Sequence, residues 1–142
     1  MIKVFVDCDI IIDLLTRREP HFYESAKFFQ QYELGKTELI TSPLAIANVH
    51  YITRKTLGSD KSKEVIQKLL QIISLSELTQ DIVNESLKSQ IYDFEDAIQS
   101  ISARNCSCIY IVSRNVKDYK KSDVPAKTPS EINQLLGTDK SS

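Results

Sequence analysis

The chain has 142 residues, 42% hydrophobic and 26% charged, with a formal net charge of −1 and an isoelectric point near 6.1. That length suits one domain with a real core, and the charge balance excludes a uniformly basic nucleic-acid binder. No apolar run reaches the roughly 18–20 residues of a membrane span, and the opening MIKVFVDCDI does not read as a signal peptide, so a cytoplasmic protein is expected.

In chain order, IKVFV (Ile2–Val6) is a short apolar strand. DIIIDLLTRR (Asp9–Arg18) has helical spacing, with Pro20 soon after. The stretch from His21 is a second helix with Phe22, Ala26, Phe29 and Leu34 toward one face and Gly35 as its C′ residue. TELIT (Thr37–Thr41) is a second strand. Ser42 as N-cap, Pro43 at the first helical position and Gly58 as the stop frame a third helix. Its expected buried stripe is Ala45, Ile46, Val49, Ile52 and Thr53. An amphipathic helix from Ser59, a strand at Ile72–Leu75 and a helix from Thr79 follow. DFEDAIQSISARN opens the next helix, CIYIV (Cys108–Val112) is the fourth strand, and VPAKT supplies a short fifth. Thr128 and Pro129 start the last helix, and residues 138–142 are expected to be a disordered tail.

Strands alternating with helices, and strands that are apolar throughout, imply a parallel sheet covered on both faces. There is no repeat or linker, so residues 1–137 are read as one domain. Three cysteines, an odd count, read as free thiols. His21 and His50 are isolated and read as structural.

The acids are less easily dismissed. Asp7 directly follows the first strand, which puts it at the sheet edge where α/β sites form. It can cap the next helix, but Asp9 and Asp13 then remain unexplained. Asp93, Glu95 and Asp96 fit a helix cap with acids against the positive end of the helix dipole. Taken together, Asp7 and Asp96 suggest one crevice, where crowded carboxylates repel unless a cation sits among them. Mg²⁺ or Mn²⁺ suits such donors and can activate water against a phosphodiester.

With these motifs in order, the sequence resembles the PIN-domain nucleases, and among them the VapC-like toxins of toxin–antitoxin pairs. VFVDCDIIIDLL, SPLAIANVHYITRK, DFEDAIQSISA and IVSRNVKDYKKSDVPAKTPSEI are similar to the four motifs of that family, and span nearly the whole chain. The resemblance implies a three-layer α/β/α fold with a four- or five-stranded parallel sheet, an acidic site for Mg²⁺ or Mn²⁺, and cleavage of RNA by metal-activated water. Asp7 and Asp96 match catalytic and metal-binding acids. Asn48 and Asn115 stand where the family usually has Glu and Asp, and with Asp118 they complete the candidate metal set. Asp9, Asp93 and Glu95 are supporting residues. RNA contacts are expected from Arg114, Lys117, Lys120 and Lys121, with Arg54 and Lys55 as a second arm. The implied partners are an RNA substrate, an antitoxin and a second copy of the chain, the last through Phe22, Phe28, Phe29 and Tyr32. The alternative is a degenerate PIN module that binds RNA or protein without cutting.

Overall fold

The structure is a computed structural model and describes residues 1–137, so the expected tail at 138–142 lies outside the described residues. Five strands form one parallel sheet: β1 (Ile2–Val6), β2 (Thr37–Thr41), β3 (Ile73–Leu75), β4 (Tyr110–Val112) and β5 (Ala126–Lys127), in the order β3-β2-β1-β4-β5. Seven helices connect and flank them: α1 (Cys8–Leu15), α2 (Phe22–Glu33), α3 (Pro43–Leu57), α4 (Ser59–Leu69), α5 (Gln80–Leu87), α6 (Phe94–Asn105) and α7 (Pro129–Leu136). A short 3-10 turn, Val116–Tyr119, follows β4. This is a three-layer PIN-like α/β/α architecture.

Alternation along β1 divides the core. Val4 and Val6 face one side with Ile10, Ile11, Phe28, Val49 and Ile132 of α1, α2, α3 and α7. Phe5 faces the other side with Ile111, Ala103, Tyr119 and Val124. Successive side chains of a strand point to opposite faces, so a central strand buried on both must be apolar at every position, as IKVFV nearly is.

Several boundaries differ from the sequence reading. α1 stops at Leu15, not Arg18, because the chain turns through the left-handed region at Arg17 (φ 52°). β3 begins at Ile73 and β4 at Tyr110, the latter because Ser107 (φ 61°) is still completing a turn. α2 buries Phe28 fully and leaves Leu34 exposed at 44%. Its helical contacts lie on α1 and α7 at once, so the buried face is broader than one stripe. Phe28 and Phe29 are core side chains packed edge to face, and the aromatic surface expected to support a homodimer is therefore mostly spent inside the fold. On α3, Ala45, Val49 and Thr53 are buried as expected, while Ile52 reaches solvent.

β1 sits at the centre. The chain proceeds outward from it to β2 and β3, then returns to its other side for β4 and β5. The reversal opens a crevice between the carboxyl ends of β1 and β4, the place where open parallel sheets hold ligands.

Candidate active site

Asp7 lies at the mouth of that crevice, and every element around it constrains it. Its backbone N–H donates to Val112 O of β4 at 2.9 Å. Its Oδ1 accepts the Cys8 N–H at 2.8 Å, the N-cap contact of α1. Its Oδ2 accepts two hydroxyls, Ser113 Oγ and Tyr119 OH, each at 2.9 Å. Asp7 is 8% exposed.

Asp96 approaches from the first turn of α6. Tyr119 OH lies 3.4 Å from its Oδ1. One hydroxyl thus stands between Asp7 and Asp96, and the two oxygens are no farther apart than those two contacts laid end to end. The approach of α6 is set by its own cap, since Asp93 accepts the Asp96 N–H at 3.0 Å. Asp93 caps the helix as expected, without a reciprocal bond from Asp96. Asp96 turns toward Tyr119, and Glu95 reaches across to α3, where its Oε1 accepts Asn48 Nδ2 at 2.9 Å. A second tie, from Ser42 Oγ to Gln99 Oε1, joins the start of α3 to α6 inside the core.

Asp9 sits in the first turn of α1. Its Oδ2 accepts the Arg114 backbone N–H at 3.3 Å and Asn115 Nδ2 at 3.4 Å, while its Oδ1 is buried with no partner. Asp13, one turn further, is fully buried and paired with Arg114 Nε at 2.7 Å and Arg18 Nε at 3.7 Å. This explains the third acid of α1. It is the anchor of Arg114, whose guanidinium is therefore fixed at the crevice wall instead of sweeping through solvent. Lys117, Lys120 and Lys121 are exposed on and just after the turn that carries Tyr119. Arg54 and Lys55 lie over the exposed ring of Tyr51, at 4.8 and 5.0 Å from its centroid, near the far end of α3. Asp118 is exposed near Asp96.

The electrostatics follow from this crowding. Burial, then the negative charge of Asp7, push the Asp9 carboxyl up to about 7 despite Arg114. Burial, then Asp93, Asp7 and Asp118, push Asp96 up to about 7 as well. Burial, then Asp7 with Asp9 and Asp96, raise the Cys8 thiol and the Tyr119 phenol, so both stay protonated and Tyr119 remains a donor. Sequence reasoning missed Ser113, Tyr119 and the Asp13–Arg114 pair. The run SRNVKDY was read for its charges, when its two hydroxyls are what touch Asp7.

Among the described residues no three His, Cys, Asp or Glu side chains stand together as a ready-made metal cage. The donor set still fits a hard cation. Mg²⁺ needs only one or two carboxylates, completing its octahedron with water and substrate phosphate. Asp7 and Asp96 face each other, both are oxygen donors, and Asp9 holds a buried oxygen without a hydrogen-bond partner.

Two expectations follow. A carboxyl raised above its unfolded value binds more protons folded than unfolded, so stability rises as pH falls through about 7 toward the ordinary carboxylate range. Metal-free protein is therefore expected to be more stable at pH 5 than at pH 8, and Asp96→Asn to flatten that slope, mainly by stabilising at pH 8; urea unfolding across the pH series measures it. Tyr119→Phe keeps the ring against Phe5, Ile111 and Val124 but removes the donor between the carboxylates. Its expected cost is about 1.5–3 kcal/mol at pH 8, the range for a hydrogen bond to a charged group, read from the same unfolding curves.

A sequence profile of the PIN domain matches residues 3–117. Over 141 residues the chain is 25% identical to Ribonuclease VapC1 of Aquifex aeolicus, covering 96% of each protein. Among solved structures, a toxin–antitoxin complex from Klebsiella pneumoniae superimposes with a TM-score of 0.65 at 22% identity, covering 89% of this chain and 97% of that one. The VapC20 toxin of Mycobacterium tuberculosis, described as cleaving the sarcin–ricin loop, gives a TM-score of 0.62 at 13% identity over 76% and 86% of the two chains. Matched over most of its length, with its two facing aspartates at the switch point of a PIN-like sheet, the chain belongs to the PIN domain family.

Proposed function

We propose that this protein is a Mg²⁺- or Mn²⁺-dependent endoribonuclease acting in the cytoplasm, with residues 1–137 as one PIN domain, and that it is the toxin of a toxin–antitoxin pair. The observation that carries this reading is the placement of Asp7 and Asp96 on either side of the Tyr119 hydroxyl, at the carboxyl end of a parallel sheet. The ribonuclease relative and the RNA-cleaving structural neighbour support the reaction, and the toxin–antitoxin neighbour supports the partner.

Asp7 and Asp96 would hold the ion, with Asp9 and the amides of Asn48 and Asn115 close by. A divalent cation there supplies charge stabilisation to a phosphodiester and lowers the pKa of a bound water. Ser113 and Tyr119 fix the Asp7 carboxylate by donating to Oδ2, and with the Cys8 N–H on Oδ1 they leave one Oδ1 lone pair uncommitted. Glu95, joined to Asn48, places a further negative charge beside α3 where Asn48 itself brings none. Lys117, Lys120 and Lys121 are free to neutralise backbone phosphates of the RNA, with Arg54 and Lys55 as a second arm held over Tyr51.

The test is cleavage of end-labelled structured and single-stranded RNA with and without Mn²⁺. Cutting should vanish with chelator and fall at least about a hundredfold in Asp7→Asn and Asp96→Asn, because several kcal/mol of transition-state stabilisation go with the ion. Its KM should climb steeply with salt as phosphate contacts are screened. Chelator-resistant cleavage, or none with any metal, would sink the proposal and leave a module that binds without cutting.

Asn48→Glu probes the charge of the site. The new carboxylate would face Glu95 in place of a donating amide, so it should destabilise the metal-free protein. With Mn²⁺ the loss should shrink and the affinity should tighten, since an added charge near a divalent cation is favourable even at an effective dielectric of about 20. Calorimetry and melting with and without metal measure both. Equal destabilisation in the two conditions, with unchanged affinity, would place position 48 outside the ion's reach.

A further inference from the structure

A cavity of about 400 Å³ lies between the start of α2 and the start of α7, and no role above uses it. Pro20 and His21 line one side, Pro129 and Ser130 the other, and Arg114 and Asn115 complete the wall. The last two also reach Asp9, through the Arg114 backbone N–H and the Asn115 side-chain amide. The cavity therefore shares a wall with the acidic site through Asp9, and an occupant would lie on the far side of Arg114 and Asn115 from that carboxylate.

Three features describe what it can take. Its volume is at the low end of small-molecule sites, which span roughly 300–1,000 Å³. Its chemistry is mixed: the flat faces of His21 and the prolines, the guanidinium of Arg114, an amide and a hydroxyl. Arg114 is already anchored, because the fully buried Asp13 engages its Nε and Nη2 and leaves Nη1 and the guanidinium faces uncommitted. A second observation points to a ligand independently. Ser25, 1% exposed, belongs to the wall and its hydroxyl has no hydrogen-bond partner. Glu24 also lines the cavity, and its carboxylate disfavours a bare phosphate while suiting ribose hydroxyls or a base amino group.

We propose that this cavity is a nucleoside subsite, taking one base and its ribose next to the phosphodiester at the acidic site. The assignment rests on the nuclease reading above. Flat side chains and an arginine plane stack unpaired bases, and amides and hydroxyls read their edges, which is how proteins recognise single-stranded RNA. The residue that stacks is His21, and the RNA must present one unpaired nucleotide beside the cleaved bond.

The experiment uses the ¹⁵N-labelled full chain in chelator, titrated with each of the four nucleoside 5′-monophosphates and, separately, with inorganic phosphate. At least one nucleotide should shift the amides of His21, Ser25, Asn115 and Ser130, and phosphate should not. His21→Ala should weaken that nucleotide about tenfold or more. His21 makes no side-chain capping bond to α2, so the variant should fold. Ser130→Phe, a surface change at the cavity mouth, should block the site independently. Shifts confined elsewhere, none with all four nucleotides, equal shifts with phosphate, or indifference to both variants would overturn the subsite. Cleavage of a randomised RNA pool separates the two readings. Wild-type cutting whose base preference is unchanged in His21→Ala overturns the subsite alone. Nucleotides seated in the cavity of a chain that cuts no RNA support the subsite and remove the nuclease.

Discussion

Everything at the carboxyl edge of this sheet depends on keeping acids close together and partly out of water. Asp7 and Asp96 share the Tyr119 hydroxyl, and Asp9 stands two residues from Asp7 in the first turn of α1, with a buried oxygen that has no hydrogen-bond partner. Such groups resist ionisation, and both Asp9 and Asp96 are pushed up to about 7. In isolation this is a defect. A protein retains a defect of this kind where the crowding serves a ligand, and the ligand that relieves repulsion among carboxylates is a cation.

The fold tolerates the crowding because its stabilising contacts lie elsewhere. Two apolar clusters, one on each face of β1, are continuous from strand to helix and involve none of the site acids. The polar ties that set the crevice are made at its edges: Ser42 to Gln99, Asn48 to Glu95, and Arg114 to Asp13. Each joins elements far apart in sequence. Asp13 and Arg114 are 101 residues apart, so their pair forms only when α1 and β4 have docked on the same strand. A buried ion pair of this kind adds little net stability once desolvation is counted. Its visible effect here is geometric, because it fixes the direction of Arg114 at the boundary between the acidic crevice and the neighbouring cavity.

How much of this was legible in the sequence follows from which signals are local. β1, β2, the caps at Ser42 and Thr128, the helix start at Thr79 and the stop at Gly58 are local, set by short apolar runs and by residues that bond their own backbone, and they lie where expected. The family likeness was likewise readable from four motifs in order, and a parallel sheet of four or five strands from the alternation of strands and helices; the structure has five. Apart from element ends moved by local left-handed turns at Arg17 and Ser107, what failed was whatever needed a distant partner. α2 looked one-sided because periodicity counts one face, whereas α1 and α7 cover two. Asp13 looked like a surplus acid because its cation is at the other end of the chain. Tyr119 was passed over because the turn around it is rich in lysine, and nothing in SRNVKDYKK says that the tyrosine points inward while the lysines point out.

The two asparagines follow from the same electrostatic argument. Asn48 donates to Glu95 and Asn115 donates to Asp9, so each amide faces an acid. A carboxylate at either position would add a repelling charge to a site that already holds two carboxyls near neutrality. An amide there lowers the cost of the metal-free state, and it also removes a charge that would hold an ion. With the proposed ion, such a site would be less strained when empty and more reliant on substrate phosphate to complete the ion's coordination. Binding of ion and RNA would then be coupled: the phosphate supplies what the amides do not, and the ion offsets the repulsion between that phosphate and Asp7 and Asp96. On the proposed reading the departures at positions 48 and 115 would change the order in which the site is assembled more than the chemistry proposed for it.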